Sequence, residues 1–184
     1  MNTRSTALPG VLIVEPAVHA DARGWFVETF HAARYASAGI AAGLTFVQDN
    51  LSSSARGTLR GLHYQVMRSQ GKLVWVTRGE VFDVVVDVRR GSPTFGEWVG
   101  TTLSATNHRQ LWVPPGFAHG FYAVSEAEVA YKVTESYSPE HERAIRWDDP
   151  ALGIRWPLAG APLVSPKDAA APSLPDAELT SVTR

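Results

Sequence analysis

With 184 residues the chain is long enough for one domain with a sizeable core, and too short for two comfortable ones. A formal net charge of −1 with no run of Lys or Arg excludes a broad footprint for a nucleic-acid polymer, while leaving room for a small anion held by a few arginines. The absence of cysteine excludes disulfides and thiolate metal sites, and the early apolar run at residues 11–14 is far short of a leader or a membrane span, so an unexported cytoplasmic protein without membrane contact is expected.

Pro9-Gly10 is a turn signal before a short strand at 11–14, which Glu15-Pro16 ends. A turn at 21–24 leads into a second strand at 25–30. Residues 31–38 are good helix formers with Gly39 as a stop. The stretch 48–65, QDNLSSSARGTLRGLHYQ, then crowds Gln48, Asp49, Asn50, Arg60, His63 and Gln65 together, with Gly57 and Gly61 between the later ones. Its last part alternates, and a period of two sends Leu59, Gly61, His63 and Gln65 to one face.

Strands are predicted at 73–77 and 81–88, around a turn at 78–80. Asp83 and Asp87 share a face with Val81 and Val85; acids on a strand usually mark its wet side, with a pocket-facing acid as the alternative. A turn cluster at 91–96 precedes strands at 98–103 and 110–113. Residues 114–120 break the chain again, before strands at 121–124 and 129–134. From Pro139 the chain is loop-like, yet Trp147 and Trp156 predict that it covers one end of the sheet. Beyond about residue 170, rising Ala, Pro and Ser content predicts a loose tail on a single domain spanning 1–184. About eight to ten short strands with Gly and Pro turns, and no long helix, argue for an all-β antiparallel sandwich or barrel, of which the jelly roll is one form, with few short helices.

The groups able to do chemistry are His63, His119, Tyr131, Lys72, Asp83, Arg60 and the Lys167-Asp168 pair. One reading is metal: Pro114 through His119 matches the P-x-G-x-x-H half of the cupin metal signature. The other half wants H-x-H, and the chain has His63-Tyr64-Gln65, poor ligation for a divalent ion. The second reading is proton transfer beside a carbonyl, which needs a near-neutral base, an acid on the opposite face and a cation for the enolate oxygen. His63 suits the base, Tyr131 the acid and Lys72 the cation, with Asp168 available to orient His63. A core tyrosine and a surface lysine satisfy the same residues, so spacing permits this chemistry without selecting it. A metal-dependent cupin enzyme and a non-catalytic binding module stand as alternatives.

Selection comes from a resemblance. RGWFVETF at 23–30, QDN at 48–50, GTLRGLHYQ at 57–65, GKLV at 71–74, SPTFG at 92–96, PGFAHGF at 115–121 and Tyr131-Lys132 occur in order over 11–168. On these the chain resembles the dTDP-4-dehydrorhamnose 3,5-epimerases, cupin-fold enzymes of dTDP-L-rhamnose biosynthesis. The resemblance implies a cupin-like jelly roll and epimerisation of dTDP-4-dehydro-6-deoxy-D-glucose at C3 and C5 to dTDP-4-dehydro-L-rhamnose. It implies no cofactor and no metal, because the substrate's own C4 ketone acidifies both positions.

Carried over by position, His63 takes the proton, Tyr131 donates one from the other face, Asp168 partners His63 and Lys72 steadies the enolate oxygen. Arg23, Glu28, Gln48, Asp49, Asn50, Arg60, His119, Glu142 and Lys167 fall where the family contacts the sugar nucleotide, and Tyr137 where a tyrosine stacks on the thymine ring. The family implies a homodimer with N-terminal strand exchange, giving Arg23 and Glu28 a role in the neighbour's site. Related enzymes with similar motifs invert one centre only, so a mono-epimerase of a dTDP-4-keto-6-deoxy sugar is the alternative. One departure is the linker 66–69, which lacks the Pro of the family's slightly longer linker.

Overall fold

Short alternating apolar runs make strands, and the tight Gly and Pro turns between them make neighbours antiparallel. The computed structural model describes residues 1–179. It places, in order, β1 (Asn2–Ser5), β2 (Leu12–Glu15), β3 (Val18–Asp21), β4 (Gly24–Val27), α1 (Ala32–Ser37), β5 (Gln48–Ser54), β6 (Thr58–Gln65), β7 (Lys72–Arg78) and β8 (Glu80–Asp87). There follow β9 (Trp98–Ser104), β10 (Gln110–Val113), β11 (Phe117–Ala123), β12 (Ala127–Val133), β13 (Glu142–Ala144), β14 (Leu163–Val164), α2 (Pro166–Ala169) and a 3₁₀ turn at Leu174–Asp176. One sheet runs β1-β2-β10-β7-β12-β5 and the other β13-β6-β11-β8-β9, with β14 beside β6 and β3–β4 as a separate hairpin. β14 pairs parallel to β6, and the remaining pairings are antiparallel.

The two large sheets stack as a jelly roll. Their inner faces share a core in which Val74, Val76 and Val129 from the first sheet meet Val81, Val85, Phe117 and Phe121 from the second. Both outer faces are also covered. α1 lays Tyr35 against Leu73 and Trp112, while Ile145, Leu152, Leu174 and Ala177 cover Leu62, Val84 and Val86 on the second sheet. Among the described residues no helix is long and apolar enough to cross a membrane.

Several expectations change here. The Trp-rich segment packs across the outer face of the second sheet rather than over its end, with Trp156 edge-on to Phe82 and its Nε1–H donated to the Trp147 carbonyl at 2.9 Å. Residues 170–179, expected as a loose tail, are tied down: Leu174 is buried, its N–H meets Asp149 at 2.6 Å, and the Tyr64 hydroxyl donates to the Glu178 carbonyl at 2.6 Å. The rest of that expected tail, 180–184, lies outside the described residues. Residues 48–54, which look too polar for a strand, form edge strand β5, where one face needs no core partner. The break expected over 114–120 ends early, since β11 starts at Phe117 and holds His119 in mid-strand.

Asp83 and Asp87 are not on a wet face; both are fully buried and point inward with Val81 and Val85. Asp87 accepts from Arg89 Nη2 at 2.7 Å and from Ser92 Oγ and Thr94 Oγ1, each at 2.6 Å, pinning the turn after β8. Burial would raise its carboxyl, but the bonds from Arg89, Ser92 and Thr94 prevail and pull it down to about 2. Asp87→Ala is therefore expected to cost about 3–5 kcal/mol in urea denaturation at neutral pH, because it removes the buried acceptor shared by a half-buried guanidinium and two half-buried hydroxyls. A depressed carboxyl stabilises above its unfolded pKa, and that contribution is lost as pH falls through about 2, so this part of the acid destabilisation disappears in the variant.

Candidate active site

A cavity of about 760 Å³ opens between the sheets at one end of the roll, lined by His63, His119, Lys72, Tyr131, Glu142 and Asp168 among others. β6 brings His63 there through an irregularity. His119 pairs with His63 and Phe121 with Arg60, so β6 carries one residue more than β11 between these rungs, a bulge at Gly61. Gly61 has φ +122°, and a Cβ on it would sit 2.6 Å from the Gly120 Cα, so only glycine fits on both strands. The extra residue breaks the alternation read from the sequence. Arg60 and His63, an odd number of positions apart, both line the cavity, and Leu62 turns to the outer core instead.

The His63 partner arrives from far along the chain. β14 docks on β6, and Ser165 then caps α2 by accepting the Asp168 N–H at 3.1 Å, with Pro166 at the first helical position. This places Asp168, buried and more than a hundred residues from His63, with its carboxylate 2.6 Å from the His63 Nε2. The bulge frees the Gly61 N–H to donate to the second carboxylate oxygen at 3.4 Å. Burial works to raise the Asp168 carboxyl, but the His63 bond and charge, with Gly61 and Ser165, hold it below the usual range. An ionised Asp168 takes the Nε2–H of His63, leaving Nδ1 as the free basic nitrogen.

His119 repeats the arrangement on the next strand, its Nε2–H shared by the two Asp83 oxygens at 2.8 and 2.9 Å. Asp83 is the part of the site that sequence reasoning left undecided between a wet face and a pocket. Its inward parity with Val81 and Val85 was the available signal. Among the described residues no three His, Cys, Asp or Glu side chains converge as metal ligands.

From the opposite sheet, β12 turns Tyr131 into the cavity on the face it shares with Val129. Burial raises its hydroxyl pKa, and the positive charge of Arg60 works against that rise. Lys72, the first residue of β7, reaches the His63 carbonyl at 3.5 Å. Burial pulls its pKa down to about 8, with Asp83 and Glu142 opposing. At the mouth Glu142 accepts from the Tyr137 hydroxyl at 2.8 Å and from Lys167.

The other expected contact residues are placed unevenly. Arg60 lines the cavity, with Nε on Ser54 Oγ at 3.0 Å. Gln48 and Asn50 lie beside it on the Tyr131 side of β5, bonded to each other at 2.8 Å. Asp49 points to the outer face, where it pairs with Lys132 at 2.8 Å, and it does not reach the cavity of its own chain. Arg23 and Glu28 do not either: Arg23 stands exposed on the β3–β4 hairpin against Asp21, and Glu28 pairs with Arg34. Ser52, Thr58 and Leu163 line the cavity without having been singled out, since nothing in their type or spacing marks them.

In this chain two aspartate-oriented histidines, a lysine and a half-buried tyrosine face one cleft, and the chain as a whole is similar to known proteins. The family model for dTDP-4-dehydrorhamnose 3,5-epimerase matches residues 5–176. Enzymes of that name from Pseudomonas aeruginosa and Salmonella typhimurium are each 55% identical to it, the first over 97% of this chain and 98% of its own length, the second over 95% and 96%. A crystal structure of the Legionella pneumophila 3,5-epimerase in complex with dTDP-4-keto-L-rhamnose superposes with a TM-score of 0.96 at 50% identity, covering 100% of this chain and 99% of that one. With a match this complete in sequence and in fold, the chain belongs to the dTDP-4-dehydrorhamnose 3,5-epimerase family.

Proposed function

We propose that the protein epimerises dTDP-4-dehydro-6-deoxy-D-glucose at C3 and C5, giving dTDP-4-dehydro-L-rhamnose. The observation that carries this reading is a base and an acid mounted on opposite sheets of one cavity: His63, held by Asp168, and Tyr131, with Lys72 beside the base. The C4 ketone makes the neighbouring C–H bonds acidic. His63 Nδ1 takes the proton, the bonding electrons move to the carbonyl oxygen as an enolate, and the Lys72 ammonium stabilises that charge. Tyr131 returns a proton to the same carbon from the other face, which inverts it; His63 then gives its proton to water, the Tyr131 phenolate takes one from water, and the cycle repeats at the second carbon. His119, which gives its Nε2–H to Asp83, is left with Nδ1 to accept a hydrogen bond from a sugar hydroxyl. Arg60 and Lys167 suit the pyrophosphate, and Tyr137, half exposed at the mouth, suits the flat face of a base.

The reading is tested by proton NMR of that substrate in heavy water, with a downstream reductase to report product configuration. Loss of both the C3 and C5 signals with an L-configured product is expected. Exchange at one carbon alone would make the enzyme a mono-epimerase, and exchange at neither would overturn the assignment. A pH profile checks Lys72 separately. Because its ammonium is the active form and its pKa is about 8, kcat/KM should fall as pH rises through that value. Lys72→Arg, charged throughout, should lose that alkaline limb even as overall activity drops.

The same proposal includes a homodimer. Val18, Trp25 and Phe26 leave large apolar surfaces exposed on the β3–β4 hairpin that carries Arg23, and a second copy is the partner that would give Arg23 and Glu28 a cavity to enter. A monomer in sedimentation equilibrium at working concentration would overturn this part.

A further inference from the structure

Where a metal-binding jelly roll would place its second histidine, the chain has Gln65, and its carboxamide is fully committed elsewhere. Gln65 is 4% exposed and pairs across the sheet with Glu142. Its Oε1 accepts the Ser138 N–H at 2.9 Å, and its Nε2 donates to the carbonyls of Arg68 at 2.7 Å and Ser136 at 3.4 Å. One buried side chain thus joins two loops. The first, 66–71, delivers Lys72; the second, 134–141, carries Tyr137 and delivers Glu142.

The loops are laced together elsewhere as well, through Gln70 Nε2 on the Glu135 carbonyl at 2.7 Å and a surface ion pair of Arg68 with Glu135. The ion pair is exposed and contributes little, whereas Gln65 is buried, so its loss would leave the buried Ser138 N–H unsatisfied and cut the ties to the Arg68 and Ser136 carbonyls. Tyr137 needs this support. Its ring is 52% exposed and has no core packing to orient it, so its direction is set by its backbone and by its hydroxyl bond to Glu142. The backbone is held at successive N–H groups by two glutamines from different sheets: Gln48 Oε1 accepts the Tyr137 N–H at 3.1 Å and Gln65 the next one.

We propose that Gln65 is a positioning residue that presets the Tyr137–Glu142 wall for the nucleotide without touching it. This rests on the reading of Tyr137 as the surface on which the base stacks. A wall ordered before binding saves the ligand the entropy of ordering it.

The test uses Gln65→Met, of similar size, with dTDP affinity by calorimetry, steady-state kinetics and a thermal melt on the intact enzyme. The expected result is a Kd for dTDP and a KM each raised about tenfold, with kcat changed much less. Adding Gln65→Met to Tyr137→Ala should weaken dTDP little further, since both remove the same contact. A lower melting temperature with Kd and KM unchanged would overturn the proposal, as would full additivity with Tyr137→Ala or a fall confined to kcat. The underlying reading fails visibly and separately: if Tyr137→Ala binds dTDP normally, stacking is wrong and the proposal falls with it. If Tyr137→Ala weakens dTDP and Gln65→Met does not, the proposal alone falls. Should Gln65→Met not fold, Gln65→Glu keeps the shape and the Ser138 bond but sets a carboxylate oxygen against two carbonyls, and the same readouts apply.

Discussion

His63→Ala is expected to lower kcat by about three to four orders of magnitude while leaving the dTDP affinity within a few-fold of the original. On the proposed reading His63 meets the sugar while Tyr137, Glu142 and Lys167 at the mouth meet the nucleotide, and these three are held by one another rather than by His63. Asp168→Asn should reproduce part of the loss. The amide cannot hold the Nε2–H tautomer as an ionised carboxylate does, and the carboxylate here is kept ionised by His63, Gly61 and Ser165 despite its burial. Isothermal calorimetry with dTDP and heavy-water exchange at C3 and C5 separate the two quantities. Retained turnover in His63→Ala would remove it as the base. Lost dTDP affinity with folding intact would make His63 a binding group.

Tyr131→Phe is expected to have a different signature. With the hydroxyl gone, His63 still removes the proton and returns one to the face it came from. Deuterium should therefore still enter at the exchanging carbon while inversion falls by about two to four orders of magnitude. The ring itself packs with Val129 and its neighbours, so Phe keeps the packing and the fold. Comparing exchange by NMR with product configuration by the reductase gives the ratio directly. A variant in which exchange and inversion fall together would show that Tyr131 also serves the first step, and one in which neither falls would place the acid elsewhere.

Local sequence carried much of this site. His63, Lys72 and Tyr131 were candidates on local pattern, and the family motifs around them made the selection, since a core tyrosine and a surface lysine fit the same pattern. The helix at residues 31–38 was legible from its composition and Gly39, and appears as Ala32–Ser37 with His31 as its cap. The placement of Asp49 was not, because alternation says which residues share a face and not which face a sheet will cover. Edge strand β5 has its inner face toward the cavity and its outer face toward Lys132, and Asp49 falls on the second.

The sequence by itself determined the antiparallel all-β class and much of the order of turns and strands, and its family motifs singled out His63, Tyr131 and Lys72 as the proposed base, acid and cation. Tertiary structure decided who partners them. Alternation on β6 put Arg60 and His63 on opposite faces, and the Gly61–Gly120 contact, a bulge between two strands distant in the chain, put them on one. It also turned Asp83 from a surface candidate into the buried support of His119, and brought Asp168, in a stretch read only as loop, to a 2.6 Å contact with His63. The reason is that strand periodicity is a property of a few neighbouring residues. Bulges, inward faces and long-range partners are settled only when two sheets stack and every buried polar group has to find a bond.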